Sequence, residues 1–214
     1  MPQINRGVRS LLSSPFVYDL FTKLIGETSY RRTLVEQYIC PQESDRILDI
    51  GCGTGKIVQY LPNVDYLGFD ASQEYIKAAQ AEFYKEPKDP TSNNQIRFIC
   101  QEVNANDIKE EACFDIALAL GILHHLSDTE VLQLFNTAIC SLKPGGKLIT
   151  IDGVYVSNQS PIARWIISKD RGQNVRTKEA YLALASQVFS KITTSIRYDL
   201  LRIPYTHIIL NCTK

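Results

Sequence analysis

RILDIGCGTGKIVQYL, from Arg46 to Leu61, is the stretch on which the reading of the chain turns. Ile47, Leu48 and Ile50 make a short apolar run suited to a buried strand, and Gly51-Cys52-Gly53-Thr54-Gly55 is a glycine turn. Lys56 to Leu61 then opens a helix that Pro62 and Asn63 stop. A strand that enters a glycine turn and then a helix brings bare backbone N–H groups up to a ligand at the helix start. Two familiar phosphate patterns fail here. The dinucleotide fingerprint G-x-G-x-x-G needs glycine where Lys56 stands. A phosphate-binding loop ending at Gly55-Lys56 needs glycine at Ile50 and a hydroxyl at Ile57. What remains is an acid at the strand end, Asp49, followed by G-x-G-x-G.

Outward from the turn, the chain alternates strands and helices. Val64–Phe69 reads as a second strand ending at Asp70, 19 residues past Gly51. A nucleotide fold places there the carboxylate that accepts from ribose hydroxyls, because a diol offers two donors and a carboxylate can take both. Ser72 looks like the cap of a helix that buries Ile76, Ala79 and Phe83, and Glu86 to Gln95 is a surface loop. Ile96–Cys100 is a third strand and Cys113–Leu120 (CFDIALAL) a fourth, apolar enough to be central. After GILHHLSD, the capping box Ser127-x-x-Glu130 opens a helix whose stripe is Val131, Leu134, Phe135, Ala138 and Leu142. Leu142-Lys143-Pro144-Gly145-Gly146-Lys147 is a break before a fifth strand, Leu148–Ile151, ending at Asp152. Ahead of the first strand, Ser14-Pro15 opens one helix, and Leu34, Val35, Tyr38 and Ile39 mark a second that Pro41 closes. Beyond the fifth strand lie an insertion, Gly153 to Arg176, a helix over Thr177–Val188, and strands over Ile192–Leu200 and Thr206–Cys212.

Four features in register over residues 46–152 carry a resemblance: the Asp49-led glycine turn, Asp70, L-H-H-L-S-D and L-K-P-G-G. Together they resemble the class I S-adenosylmethionine-dependent methyltransferases of small-molecule type. The resemblance implies an α/β fold with one doubly wound, mostly parallel seven-stranded sheet, an antiparallel C-terminal strand pair and an N-terminal helical cap. In that scheme residues 1–45 are the cap, 46–152 the cofactor-binding core, 153–176 an acceptor-side insertion, and 177–214 the closing helix and strand pair. The cofactor would be S-adenosyl-L-methionine, bound by Asp49, Gly51, Cys52, Gly53, Gly55, Asp70, Ala71, Leu120 and Gly121. Glu102 would accept from the adenine amino group with Val103 packed on the ring, and Tyr18 of the first helix would close over the cofactor. Positioning a nucleophile in line with a sulfonium methyl can supply roughly 7–11 kcal/mol, so a catalytic base is minor or absent unless a proton must leave. His124 or His125 is the candidate base or orienting residue. In the insertion, Tyr155, Trp165 and Arg171 are candidate acceptor-binding residues, with Arg164 and Lys169 adding charge for an anionic acceptor.

Composition narrows the alternatives. The formal net charge is zero, but residues 47–154 hold 8 Lys/Arg against 15 Asp/Glu, and residues 155–214 hold 9 against 3. The basic C-terminal third is the sole support for an RNA or protein methyltransferase. No D/N-P-P-Y/F motif follows the fourth strand, where Ala119-Leu120-Gly121-Ile122 stands, and no nucleic-acid partner is expected. A catalytically silent cofactor-binding module is the other alternative. Six scattered cysteines without a C-x-x-C read as reduced thiols of a cytoplasmic protein. No apolar run suggests a membrane span, and the three histidines form no metal-binding pattern. The oligomeric state is open.

Overall fold

The computed structural model describes residues 27–84, 95–103, 113–169 and 173–214. The first expected helix, with Tyr18, lies outside these, as do Arg171 and most of the loop before the third strand. In chain order the elements are α1 (Glu27–Leu34) running into a π turn (Val35–Ile39), β1 (Arg46–Ile50), a 3-10 turn (Lys56–Tyr60), β2 (Asp65–Asp70) and α2 (Gln73–Phe83). There follow β3 (Ile96–Cys100), β4 (Phe114–Leu120), a second 3-10 turn (Leu123–His125), α3 (Asp128–Ser141) and β5 (Leu142–Tyr155). The chain ends with α4 (Pro161–Ser168), β6 (Arg176–Thr177), α5 (Lys178–Ala185), β7 (Lys191–Arg197) and β8 (His207–Thr213).

The sheet runs β3-β2-β1-β4-β5-β8-β7, with β6 paired to β5 outside that path. β1 to β5 pair in parallel with one another, while β8 is antiparallel to both β5 and β7. This is the doubly wound sheet with an antiparallel C-terminal pair that the sequence implied. Both faces are covered, which is why the central strands read as apolar runs rather than alternating ones. On one face Leu48, Ala117, Ala119, Leu148, Ile208 and Leu210 pack against α3 and α5. On the other Ile47, Tyr66, Ile116, Leu118 and Ile149 pack against the α1–π segment and α2. Order reverses between β1 and β4, so their carboxyl ends flank a crevice where open α/β sheets bind ligands. Among the described residues no helix is long and apolar enough to cross a membrane.

Local signals fared well where hydrogen bonds close within a few residues. Ser72 accepts from the Tyr75 N–H, and Ser127 and Glu130 complete a capping box at α3. Three boundaries need correction. The segment after the glycine turn is a 3-10 turn, and the second helix ends in a π turn whose backbone reverses at Cys40, in the left-handed region. The fifth strand is far longer than Leu148–Ile151. Leu142 already pairs with Phe114, and the Pro144-Gly145 irregularity is absorbed as a register shift with Gly145 bonded to Lys214. At its far end β5 runs on to Tyr155 because β8 continues beside it as far as Gly153, opposite His207, and β6 pairs with Val154 and Tyr155. The expected insertion is therefore part strand and part helix, α4, opened by Pro161.

Candidate functional site

At the carboxyl end of β1, the N–H groups of Gly51 and Cys52 both donate to the Phe69 carbonyl, at 2.8 and 2.9 Å. The turn thereby lies against the end of β2. Asp70 completes the joint: its Oδ2 accepts from Gly53 N–H at 2.9 Å and its Oδ1 from Ser72 N–H at 2.8 Å. A carboxylate oxygen can take more than one donor, and Asp70 is only half-buried, so it retains acceptor capacity towards the crevice.

The glycines divide into two kinds. A Cβ on Gly51 (φ +78°) would lie 2.3 Å from Ile122, and one on Gly55 (φ +68°) 2.5 Å from Phe98, so these two exist for packing. Gly53 (φ +55°) and Gly121 (φ +70°), one on each side of the crevice, have nothing within 4 Å of such a Cβ. Gly121 is held by its N–H bond to the Ile151 carbonyl at 2.7 Å. Bare backbone facing open space from both strand ends is a cradle for a ligand that lies close to the main chain. Cys52 turns its thiol beneath, onto Gly68, where a Cβ would meet it at 2.8 Å; burial and the nearby Asp49 and Asp70 charges push that thiol's pKa up.

Asp49 stands under the turn, 2% exposed. Tyr66 donates to its Oδ2 at 2.6 Å, and its Oδ1 has no hydrogen-bond partner among the described residues. Burial pushes the carboxyl up to about 7, against the Tyr66 bond, with the Asp70 charge adding to the rise. A buried acceptor with one oxygen to spare suits a ligand that brings positive charge or a donor.

The second half of the site gathers where β4 and β5 end. His124, buried in the 3-10 turn, places Nδ1 2.7 Å from Asp152 Oδ1, and its own backbone N–H donates to the same oxygen at 3.1 Å. Asp152 is 2% exposed and its Oδ2 has no hydrogen-bond partner among the described residues. Burial raises this carboxyl above the ordinary range and His124 counters it. With Asp152 ionised, the proton sits on Nδ1 and Nε2 is left as the lone-pair nitrogen. The His125 ring is tilted at 4.2 Å from that of His124 and is only half-buried. Arg176, buried, donates Nη1–H to the Leu123 and Asn174 carbonyls and Nη2–H to the Leu126 carbonyl, and pairs Nε and Nη2 with Asp128. Asn174 N–H donates to the His124 carbonyl at 3.0 Å.

The remaining candidates scatter. Glu102 is exposed and Val103 half-buried against the main core, both just past β3; Ala71 is exposed and Leu120 half-buried. Tyr155 is half-buried with the Arg164 guanidinium 4.9 Å over its ring, whereas Trp165 is 63% exposed on α4. Sequence reasoning read Asp152 only as a strand end, and attached no role to Tyr66 or Arg176. A lone Asp closing the apolar run LITID was a usable signal for Asp152. Arg176 had none, because its partners other than Asn174 lie some fifty residues away.

A family model described as "Methyltransferase domain" matches residues 47–146. The mitochondrial ubiquinone biosynthesis O-methyltransferase of Mus musculus is 32% identical over 111 residues, which cover 50% of this chain and 28% of that protein. The ubiquinone biosynthesis O-methyltransferase of Bradyrhizobium diazoefficiens is 33% identical over 106 residues, 49% of this chain and 38% of the other. The chain thus spans well under half the length of these curated relatives. Among solved structures, a SAM-dependent methyltransferase of Methanosarcina mazei superposes with a TM-score of 0.64 at 20% identity, covering 85% of this chain and 96% of that one, a likeness of fold.

Proposed function

We propose that the chain is a class I S-adenosylmethionine-dependent methyltransferase and that it transfers the methyl group of S-adenosyl-L-methionine to a hydroxyl of a small-molecule acceptor. The observation that carries the choice of a hydroxyl is the buried His124–Asp152 pair beside the crevice. A neutral amine attacks without losing a proton first, but a hydroxyl gains most from a positioned base. The O-methyltransferase names of the relatives agree with it.

The residues present fit the cofactor. The open space above Gly53 and Gly121 suits a ligand on bare backbone, and the spare oxygen of Asp49 suits its ammonium group. Asp70 would hold the ribose hydroxyls, Glu102 and Val103 the adenine, and Gly51, Cys52, Gly55, Ala71 and Leu120 the walls. When bound, the cofactor supplies a methyl group already electrophilic on its sulfonium. The chain's part is to hold the acceptor in a water-poor pocket and take up its proton at His124 Nε2, with Asp152 stabilising the imidazolium. Residues 153–176 form the acceptor wall in this reading. Arg164, over Tyr155, is a described cation there that favours an anionic acceptor. The six free thiols support a cytoplasmic setting.

The test is methyl transfer from labelled cofactor to a panel of phenolic and enolic acceptors, beside matched amines, with S-adenosylhomocysteine affinity measured by calorimetry. Transfer to hydroxyls, lost in His124→Gln at unchanged cofactor affinity, supports the reading. Tighter binding of NAD than of S-adenosylhomocysteine, or transfer to amines alone, would sink it.

A further inference from the structure

We propose that Arg176 is a positioning residue for the proton acceptor: its guanidinium holds the Leu123–His125 turn in the one arrangement that keeps His124 on Asp152. The proposal rests on the role given to His124 above. A single 3-10 turn has little strength of its own. Its internal bonds are His125 N–H to the Ile122 carbonyl at 2.9 Å and Leu126 N–H to the Leu123 carbonyl at 3.2 Å. The carbonyls of Leu123, His124 and Leu126 are instead taken up from outside, two by Arg176 at 2.9 and 2.7 Å and one by the Asn174 N–H at 3.0 Å.

Four of the five N–H donors of the guanidinium make hydrogen bonds: Nε to Asp128 Oδ1, Nη2 to Leu126, and the two of Nη1 to Leu123 and Asn174. Nη2 also lies 2.7 Å from Asp128 Oδ1, completing the ion pair. A planar fork can meet two carbonyls and a carboxylate at fixed angles; an ammonium with three donors on a flexible stem cannot. The Tyr181 ring, 5.7 Å from the guanidinium carbon, backs this arrangement.

The consequence for His124 follows from a shared acceptor. Its backbone N–H and its Nδ1 both bond Asp152 Oδ1, so the ring stays in place only while the turn's backbone does. A buried carbonyl stripped of its donor pulls the turn towards whatever donor or water is near, and the ring moves with it. The fold has independent support at this point, because the backbone of Arg176 pairs with Val154 and Thr177 caps α5.

The experiment compares Arg176→Lys, Arg176→Met and Asp128→Ala with wild type in the full chain, reading two quantities. One is the proton NMR resonance of the His124 Nδ1–H held by Asp152, identified by its loss in His124→Gln. The other is kcat against KM for a methylated acceptor. Both Arg176 variants should lose or broaden the resonance and lower kcat about 100-fold, the effect of an ångström-scale misplacement, with cofactor affinity unchanged. Asp128→Ala, which loosens the fork at its exposed end, should move both in the same direction by less. A sharp resonance and wild-type kcat in Arg176→Met, or full rescue by lysine, overturn the proposal. If Arg176→Met does not fold, Arg176→Lys and Asp128→Ala decide in the same way. The resonance is read without acceptor, so a wild-type chain that transfers no methyl would refute the proposed reaction and leave this arm to decide the positioning.

Discussion

In the half of the site built on β1 and β2, the bonds that shape the crevice join Gly53 to Asp70 and Tyr66 to Asp49, each pair 17 residues apart. In the half built on β4 and β5, His124 and Asp152 are 28 apart, and Arg176 is 50 and 53 from Leu126 and Leu123. The first half is mostly backbone: glycine conformations, N–H groups and two carboxylates near strand ends, Asp49 and Asp70. The second is a chain of side chains, each placed by the next. Damage to the first should therefore appear as lost cofactor binding, and damage to the second as lost turnover with binding intact.

The largest break should come from Gly53→Val. A β-branched side chain disfavours φ +55° and would fill the open space above the turn, so calorimetry should find no saturable S-adenosylhomocysteine binding. Next is His124→Gln, which should lower kcat about 10²- to 10⁴-fold, the range for a positioned base, while the cofactor titration stays unchanged. A parallel loss of cofactor affinity would show that the two halves are not separable.

Asp49 sharpens the comparison from the binding side. Its folded pKa, about 7, lies above the 3.8 usual for an aspartate, so folding favours the protonated form. That contribution is complete below about pH 4 and is lost as pH rises to 7, where the unfolded chain binds fewer protons. Relative to Asp49→Asn, wild type should lose up to about 4 kcal/mol of stability across that window, read as a diverging urea midpoint. Parallel midpoints would mean that Asp49 is ionised in the folded chain throughout. The smallest effect belongs to Asp70→Asn, which keeps one acceptor oxygen and should weaken cofactor binding about tenfold, the worth of one charge-assisted hydrogen bond. Its kcat at saturation should hold, since Asp70 is remote from His124 in the order of bonds.

Amphipathic spacing, capping residues and glycine patterns set out the strand order's raw material from the residues alone. Ile96–Cys100 was bounded as observed, and Ser72 and Ser127 marked helix starts, because such signals close within one turn. Pro144 and Gly145 misled for the opposite reason. They are breakers locally, yet the pairing of Leu142 with Phe114 and of Gly145 with Lys214 across the sheet outweighs that preference. The same separation runs through the site. Asp49, Gly51, Gly53, Gly55 and Asp70 could be proposed from the residues alone because backbone chemistry at a strand end needs particular residues at particular spacings. Which histidine meets a carboxylate, which oxygen of Asp49 is left over, and what pins the His124 turn were decided only by tertiary structure. A guanidinium that reaches two carbonyls and an aspartate across some fifty residues leaves no periodicity in the sequence; it exists only once β5, β6 and α3 have packed.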